Sequence, residues 1–163
     1  MTANPNPATP SRDDLHAFYD AYFEALDDGR LEEWPEFFVE DCLYRIIPRE
    51  NYEAGRQQCL MQGDSQGMLI DRVRAIRSTQ VYAPRYCRRL YSGLRLVNGT
   101  GGKLATRQNL LVIHTLVNQP SKILGCGISY DRLVLADNGH LKFAERTVVF
   151  DTEMIDNTLI YPV

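Results

Sequence analysis

From Arg85 to Asp151 the chain alternates long β-prone runs with turn signals, and this stretch does most to limit what it can fold into. Strands are expected near 86–97, 104–117, 122–136 and 140–151. Between them lie Asn98-Gly99-Thr100-Gly101-Gly102, Asn118-Gln119-Pro120-Ser121 and Asp137-Asn138-Gly139-His140. Gly and Asn tolerate positive φ and Pro cannot donate to a ladder, so each segment favours a reversal. Asn138-Gly139 is the sharpest hairpin signal of the three. Strands this long, joined by tight turns, form an antiparallel meander that must curl to bury its inner face.

The first half reads as helices. Ser11 stands ahead of an acidic first turn, Asp13-Asp14, as a helix cap. Behind it Leu15, Phe18, Tyr19, Tyr22, Phe23 and Leu26 share one helical face. Gly29 ends that helix. A second, shorter helix offers Leu31, Trp34, Phe37 and Phe38 to the same core, with Pro35 tolerable only in its first turns. A short strand, Leu43 to Ile47, closes at Pro48. A third helix spans Asp64 to Ser78, with Leu69, Val73 and Ile76 on one face. Helices first and strands after give an α+β fold, about three N-terminal helices packed on one face of a curved, mostly antiparallel sheet.

At 163 residues the chain is read as one domain, 11–163, behind a frayed tail, 1–10, that carries Pro5, Pro7 and Pro10. With 18 basic and 21 acidic side chains the net charge is −3, so nucleic acid is not an expected partner. No apolar run reaches the ~18 residues of a membrane span, and the N-terminus lacks a signal-peptide layout. The expected location is cytoplasmic. Cys42, Cys59, Cys87 and Cys126 are too scattered for a Cys-x-x-Cys motif and read as small buried or half-buried thiols.

Chemistry-bearing motifs are sparse. There are three histidines, His16, His114 and His140, and none has a metal-ligand partner at helical or hairpin spacing. His16 reads as solvated, His140 as a loop residue and His114, mid-strand, as a structural interior imidazole. There is no nucleophile elbow, phosphate loop or dinucleotide fingerprint. Gly125 and Gly127, alternating on one strand face, point to a bend or a close backbone. Asp131-Arg132 and Glu145-Arg146 read as cross-strand ion pairs. No catalytic, cofactor-binding or metal-binding residue is assigned. The arginines at 72, 74, 77, 85, 88 and 89 form a cluster that is either a solvated face or a contact surface.

Several landmarks, in this order and spacing, resemble one family. They are Leu26-Asp27-Asp28-Gly29-Arg30-Leu31-Glu32-Glu33-Trp34, Tyr44-Arg45 with Pro48-Arg49-Glu50, and Met68-Leu69-Ile70-Asp71-Arg72-Val73-Arg74. Cys87-Arg88-Arg89-Leu90, Arg146-Thr147-Val148-Val149-Phe150-Asp151 and the ending Asn157-Thr158-Leu159-Ile160-Tyr161-Pro162-Val163 follow. The chain resembles the small (β) subunit of aromatic-ring-hydroxylating dioxygenases, the Rieske non-haem iron oxygenases.

That resemblance implies a nuclear-transport-factor-2-like cone and a non-catalytic assembly role. It implies a large α subunit as partner, carrying the Rieske [2Fe-2S] cluster and the mononuclear Fe(II), and a homotrimer of β subunits in an α3β3 assembly. The holoenzyme is then an oxidoreductase of aromatic catabolism that uses O2 and NADH. Likeness to the benzoate, salicylate and terephthalate types implies an aromatic carboxylate such as benzoate as substrate. Candidates for subunit contacts are Arg49, Arg72, Arg88, Arg89 and Tyr161. The competing reading is a stand-alone cone-fold isomerase or dehydratase, or a small-molecule-binding protein. It would use Tyr44, Asp64 and His114 in an open pocket.

Overall fold

The computed structural model describes residues 10–79, 81–97, 104–155 and 159–163. The Asn98–Gly102 turn signal and nearly all of the expected tail fall outside them. Helix α1 (Arg12–Asp27) starts on a capping box. Ser11 Oγ accepts from Asp14 N–H, and the Asp14 carboxylate accepts in return from Ser11 N–H. Its buried stripe is Leu15, Tyr19, Tyr22, Phe23 and Leu26, as the spacing requires, and Gly29 takes φ +74° to turn the chain.

The second helix is a 3-10 helix, Leu31–Phe37, and not an α-helix. Pro35 sits at its fifth position, deeper than the first-turn placement expected. Two chain features make that possible: the helix ends two residues later, and Phe38 N–H closes back on the Pro35 carbonyl. Phe38 already belongs to β1 (Phe38–Pro48), which is twice the expected strand. Helix α2 (Arg49–Glu53) and strand β2 (Met61–Gly63) are too short to leave a periodic signature. Helix α3 (Gln66–Ser78) is capped by Ser65 Oγ, which accepts from Met68 N–H, so it starts two residues later than expected.

The meander matches the sequence closely: β3 (Arg85–Val97), β4 (Leu104–Leu116), β5 (Lys122–Leu135) and β6 (Leu141–Phe150). The strand order is β2-β1-β6-β5-β4-β3, and among the described residues the β1–β6 pair alone is parallel. The Asn138-Gly139 turn is present, with Gly139 at φ +81° and its N–H donating to the Ala136 carbonyl. Register shifts interrupt β3–β4, β4–β5 and β5–β6, and such bulges bend a long sheet around its inner face. Gly127 is needed for close approach: a Cβ there would lie 1.9 Å from the Val149 carbonyl oxygen.

Trp34, 1% exposed, fastens the helices to the sheet. Its ring meets Phe38 and Tyr44 edge-on at 5.9 and 5.1 Å, and its indole N–H donates to Tyr22 Oη at 3.1 Å. A second fastening is at the surface, where Arg77 of α3 holds both carboxylate oxygens of Glu32 at 2.7 and 2.8 Å. That bond holds the Glu32 carboxyl down at about 2.

Trp34→Ala should cost about 3–5 kcal/mol in urea unfolding, the range for an aromatic removed from a packed core. A loss under roughly 1 kcal/mol would place the tryptophan outside the core. The pH dependence of stability follows from Glu32. Its folded value lies below the ordinary 4.5, so the stability it adds is complete above that value and is lost as pH falls toward 2. Unfolding measured across this window should show Glu32→Gln losing less stability than the parent chain; equal losses would mean that the Arg77 bond does not form in solution.

Candidate functional site

Polar side chains occupy the inner face of the sheet where an apolar core is the rule. Across the strands in register, Tyr44 faces Arg146, Arg146 faces Asp131, and Asp131 faces Thr106. One step along, Ser129 faces Gln108. All six are buried, and Tyr19 and Tyr22 descend onto them from α1.

Two clusters of hydrogen bonds result. In the first, the Asp131 carboxylate accepts from Arg146 Nη1, Tyr19 Oη and Ser129 Oγ, each at 2.7 Å. Because the Tyr19 proton goes to Asp131, Thr106 Oγ1 is the donor in its 2.6 Å contact with Tyr19 Oη. Asp131 and Arg146 have no exposed side-chain surface. A charge pair so deep persists because the carboxylate accepts three hydrogen bonds and the guanidinium donates from Nη1 and Nε, leaving Nη2 without a partner among the described residues.

The second cluster surrounds the residue Val163, itself fully buried. Its main-chain oxygen accepts from Tyr22 Oη at 3.0 Å, Tyr44 Oη at 3.2 Å and Arg146 Nε at 3.3 Å. Its N–H donates back to Tyr44 Oη at 2.8 Å. Burial pushes the phenols of Tyr19, Tyr22 and Tyr44 upward, so all three remain protonated donors. Burial opposes the charge on Arg146, but Asp131 and the surrounding phenols outweigh it. The guanidinium also lies over the Tyr22 ring at 4.8 Å and the Phe143 ring at 5.2 Å.

Residues 159–163 are thus drawn into the cone, and two of the singled-out arginines hold them there. Arg72 Nη2 donates to the carbonyls of Leu159 and Ile160 at 3.0 and 3.4 Å. Arg89, 6% exposed, pairs with Asp27 and donates to the Pro162 carbonyl. Tyr161 Oη donates to Tyr82 Oη at 3.1 Å, and with burial this pushes the Tyr161 phenol up to about 12. Arg88 is exposed on the outer sheet face, although its Nη1 also reaches the Asp27 carbonyl. Arg49 pairs with Asp151 and Glu53 at the surface.

The pocket trio of the competing reading does not gather at one opening. Tyr44 is committed to Val163, Asp64 is exposed and accepts from Gln62 Nε2 at 2.7 Å, and His114 is buried on β4 opposite Cys87. A groove of about 880 Å³ lies elsewhere, between α1, the 3-10 helix and the β5–β6 hairpin, with Phe18, Phe37 and His140 in its walls. Two smaller expectations are corrected. His16 is half-buried and donates from Nδ1 to Tyr91 Oη, whose own proton goes to Asp20. Cys126 is exposed, whereas Cys42 and Cys87 are buried.

Sequence reasoning foresaw the ion pairs at 131/146 and 132/145 but not the interior they serve. Tyr19 and Tyr22 counted only as members of an apolar stripe. Nothing in the spacing of residues 159–163 announces that they fold inward. Among the described residues, no group of three or more His, Cys, Asp or Glu is placed to hold a metal ion, and no helix is long and apolar enough to cross a membrane.

A bent sheet wrapped around helices to make a cone of this kind is the nuclear-transport-factor-2-like fold. Residues 22–157 match the family model described as "Ring hydroxylating beta subunit". The small subunit of anthranilate 1,2-dioxygenase from Burkholderia cepacia is 33% identical over 92% of this chain and 92% of its own length. Subunit beta 1 of the terminal oxygenase component of terephthalate 1,2-dioxygenase from Comamonas sp. is 27% identical over 91% of this chain and 96% of its own. A crystal structure assigned as the β subunit of an aromatic-ring-hydroxylating dioxygenase from Novosphingobium aromaticivorans superposes with a TM-score of 0.84. It is 34% identical, covering 93% of this chain and 96% of that one. The chain belongs to the ring-hydroxylating dioxygenase β-subunit family. Its partner is therefore the α subunit of such an oxygenase.

Asp131→Asn should cost about 3–5 kcal/mol, because it leaves the Arg146 charge buried and uncompensated. Arg132→Ala, which removes the exposed 3.5 Å partner of Glu145, should cost under about 1 kcal/mol. Urea unfolding of both variants checks this; equal costs would mean that the interior pair is solvated.

Proposed function

We propose that this chain is a non-catalytic assembly subunit that forms a homotrimer and docks three α subunits as α3β3. The observation that carries the reading is an apolar surface on the convex side of the sheet. Tyr86, Leu90 and Ile123 there are 72%, 51% and 64% exposed. In register, Leu90 faces Leu111, which faces Cys126, and Arg88 faces Ile113, which faces Ile123. An apolar stripe of this kind, with a cation in it, suits a partner surface better than water. Arg88 and Arg49 are the side chains proposed to meet neighbouring subunits. Arg72, Arg89 and Tyr161 are proposed to shape that contact indirectly, by fixing residues 159–163.

In this reading the Rieske [2Fe-2S] cluster and the mononuclear Fe(II) belong to the α subunit, and the holoenzyme oxidises an aromatic carboxylate with O2 and electrons from NADH, in the cytoplasm. The carboxylate is supported by the relatives, which are named for anthranilate and terephthalate. Both bear a ring carboxylate, as benzoate does.

The test is co-expression with the α subunit of the oxygenase to which this chain belongs. The two should co-purify as a hexamer, and Leu90→Asp/Ile123→Asp should reduce the assembly to smaller species while the secondary structure stays intact. A chain that purifies as a stable monomer and fails to retain the α subunit would contradict the proposal.

A further inference from the structure

We infer that neighbouring copies of this chain meet head to tail. The sheet surface around Arg95 and Arg107 on one copy docks into the acidic groove between α1, the 3-10 helix and the β5–β6 hairpin on the next. This rests on the homotrimer proposed above and names the two surfaces that close it. A three-fold ring cannot use one self-complementary patch, so each copy must carry two different patches that fit each other.

The first patch is a set of cations with too few partners. Arg95 on β3 and Arg107 on β4 stand directly opposite each other in register. Arg107 lies between the buried Thr106 and Gln108, so the pair is on the outer face of the sheet. Like charges in facing positions destabilise a strand pair. Arg95 is exposed and Arg107 half-buried, and neither side chain has an ion-pair or hydrogen-bond partner among the described residues. Arg132, diagonal to Arg107 on β5, shares Glu145 with Arg45. These four guanidinium groups thus have one carboxylate between them.

The second patch has the opposite sign. Residues 12–41 hold eleven carboxylates and two arginines in a chain whose net charge is only −3, so the acidity is concentrated in the helical layer. The groove of about 880 Å³ opens there, lined by Glu33, Glu36 and the half-buried rings of Phe18 and Phe37. Glu33 pairs with Arg30 at 2.9 Å, but Glu36 is exposed and has no partner among the described residues. Carboxylates beside aromatic rings form a receptor for guanidinium, whose N–H groups meet the carboxylate while its flat face lies on a ring. Lys142 lines the hairpin side of the groove and directs an incoming cation to the helix side, where Glu33 and Glu36 stand. The arginines repel each other within their own sheet and gain carboxylates in the next copy.

Charge exchange in the co-expressed oxygenase tests the pairing. Arg95→Glu/Arg107→Glu and Glu33→Arg/Glu36→Arg each set like charges across the contact. Each should raise the concentration at which the complex dissociates in sedimentation by at least about tenfold. The variant carrying all four changes restores opposite charges and should dissociate near the parent concentration. Arg95→Gln/Arg107→Gln removes the repulsion within one sheet. It should leave the isolated chain at least as resistant to urea as the parent while flattening the salt dependence of assembly, and it decides the matter if the reversed variants do not fold. A parent complex that never exceeds one α and one β subunit contradicts the homotrimer itself. A parent hexamer whose dissociation none of these changes shifts overturns the pairing alone, as does a four-site variant no tighter than its two halves. Loss of the α subunit from an intact β trimer would also overturn it, since the arginines would then contact α.

Discussion

The buried pair of Asp131 and Arg146 is the constraint around which the interior is arranged. Both charges lie on facing positions of β5 and β6 with no exposed side-chain surface, so each must find its partners in the protein. That demand explains the rest of the inner face. Ser129 and Tyr19 serve the carboxylate, with Thr106 bonded to Tyr19 behind them; Tyr22, Tyr44 and the Val163 main-chain oxygen serve or surround the guanidinium. The same demand ties together parts distant in sequence: α1 through its two tyrosines, β1 through Tyr44, and residues 159–163. The helices are thereby held to the sheet by directional bonds as well as by the Trp34 packing, and a cone with one arrangement follows.

A filled interior turns the protein's available chemistry outward. Catalytic members of a cone fold need an opening in which an acid, a base and a substrate meet. Here the phenols and the carboxylate are committed to each other, and residues 159–163 pack against them. Accessible features are the groove between α1, the 3-10 helix and the β5–β6 hairpin, and the outer sheet face with its apolar stripe and the arginines at its margin. This division suits a subunit whose task is to present surfaces, and it agrees with membership of a family defined by its place in a larger oxygenase.

The meander was legible in the sequence because its signals are local: Asn138-Gly139 fixes a turn by backbone geometry, and long β-prone runs on either side have no other use. The stripe on α1 was legible for the same reason, since Leu15 to Leu26 repeat at the helical period. The length of β1 was hidden because Glu40 and Asp41 interrupt its apolar pattern, and they are accommodated where the pairing with β6 skips register. The polar interior was hidden for a different reason. Tyrosine is counted with the apolar residues, yet its hydroxyl acts at long range, bringing Tyr19 to Asp131 and Tyr22 to Val163, and no window of sequence contains both partners. The role of Arg72 and Arg89 as holders of residues 159–163 was beyond reach on the same grounds.

Cys126 offers the most direct measurement of the assembly account. It is exposed, faces Leu111 in the middle of the apolar stripe, and carries a thiol that alkylating reagents can count. Burial and Asp151 push this thiol up, so the account predicts that at mildly alkaline pH Cys126 is modified in the dilute isolated chain and protected once the chain is assembled with its α partner. Modification at the same rate in the intact oxygenase would show that this face remains in water, and the stripe would then not be the surface on which the subunits meet.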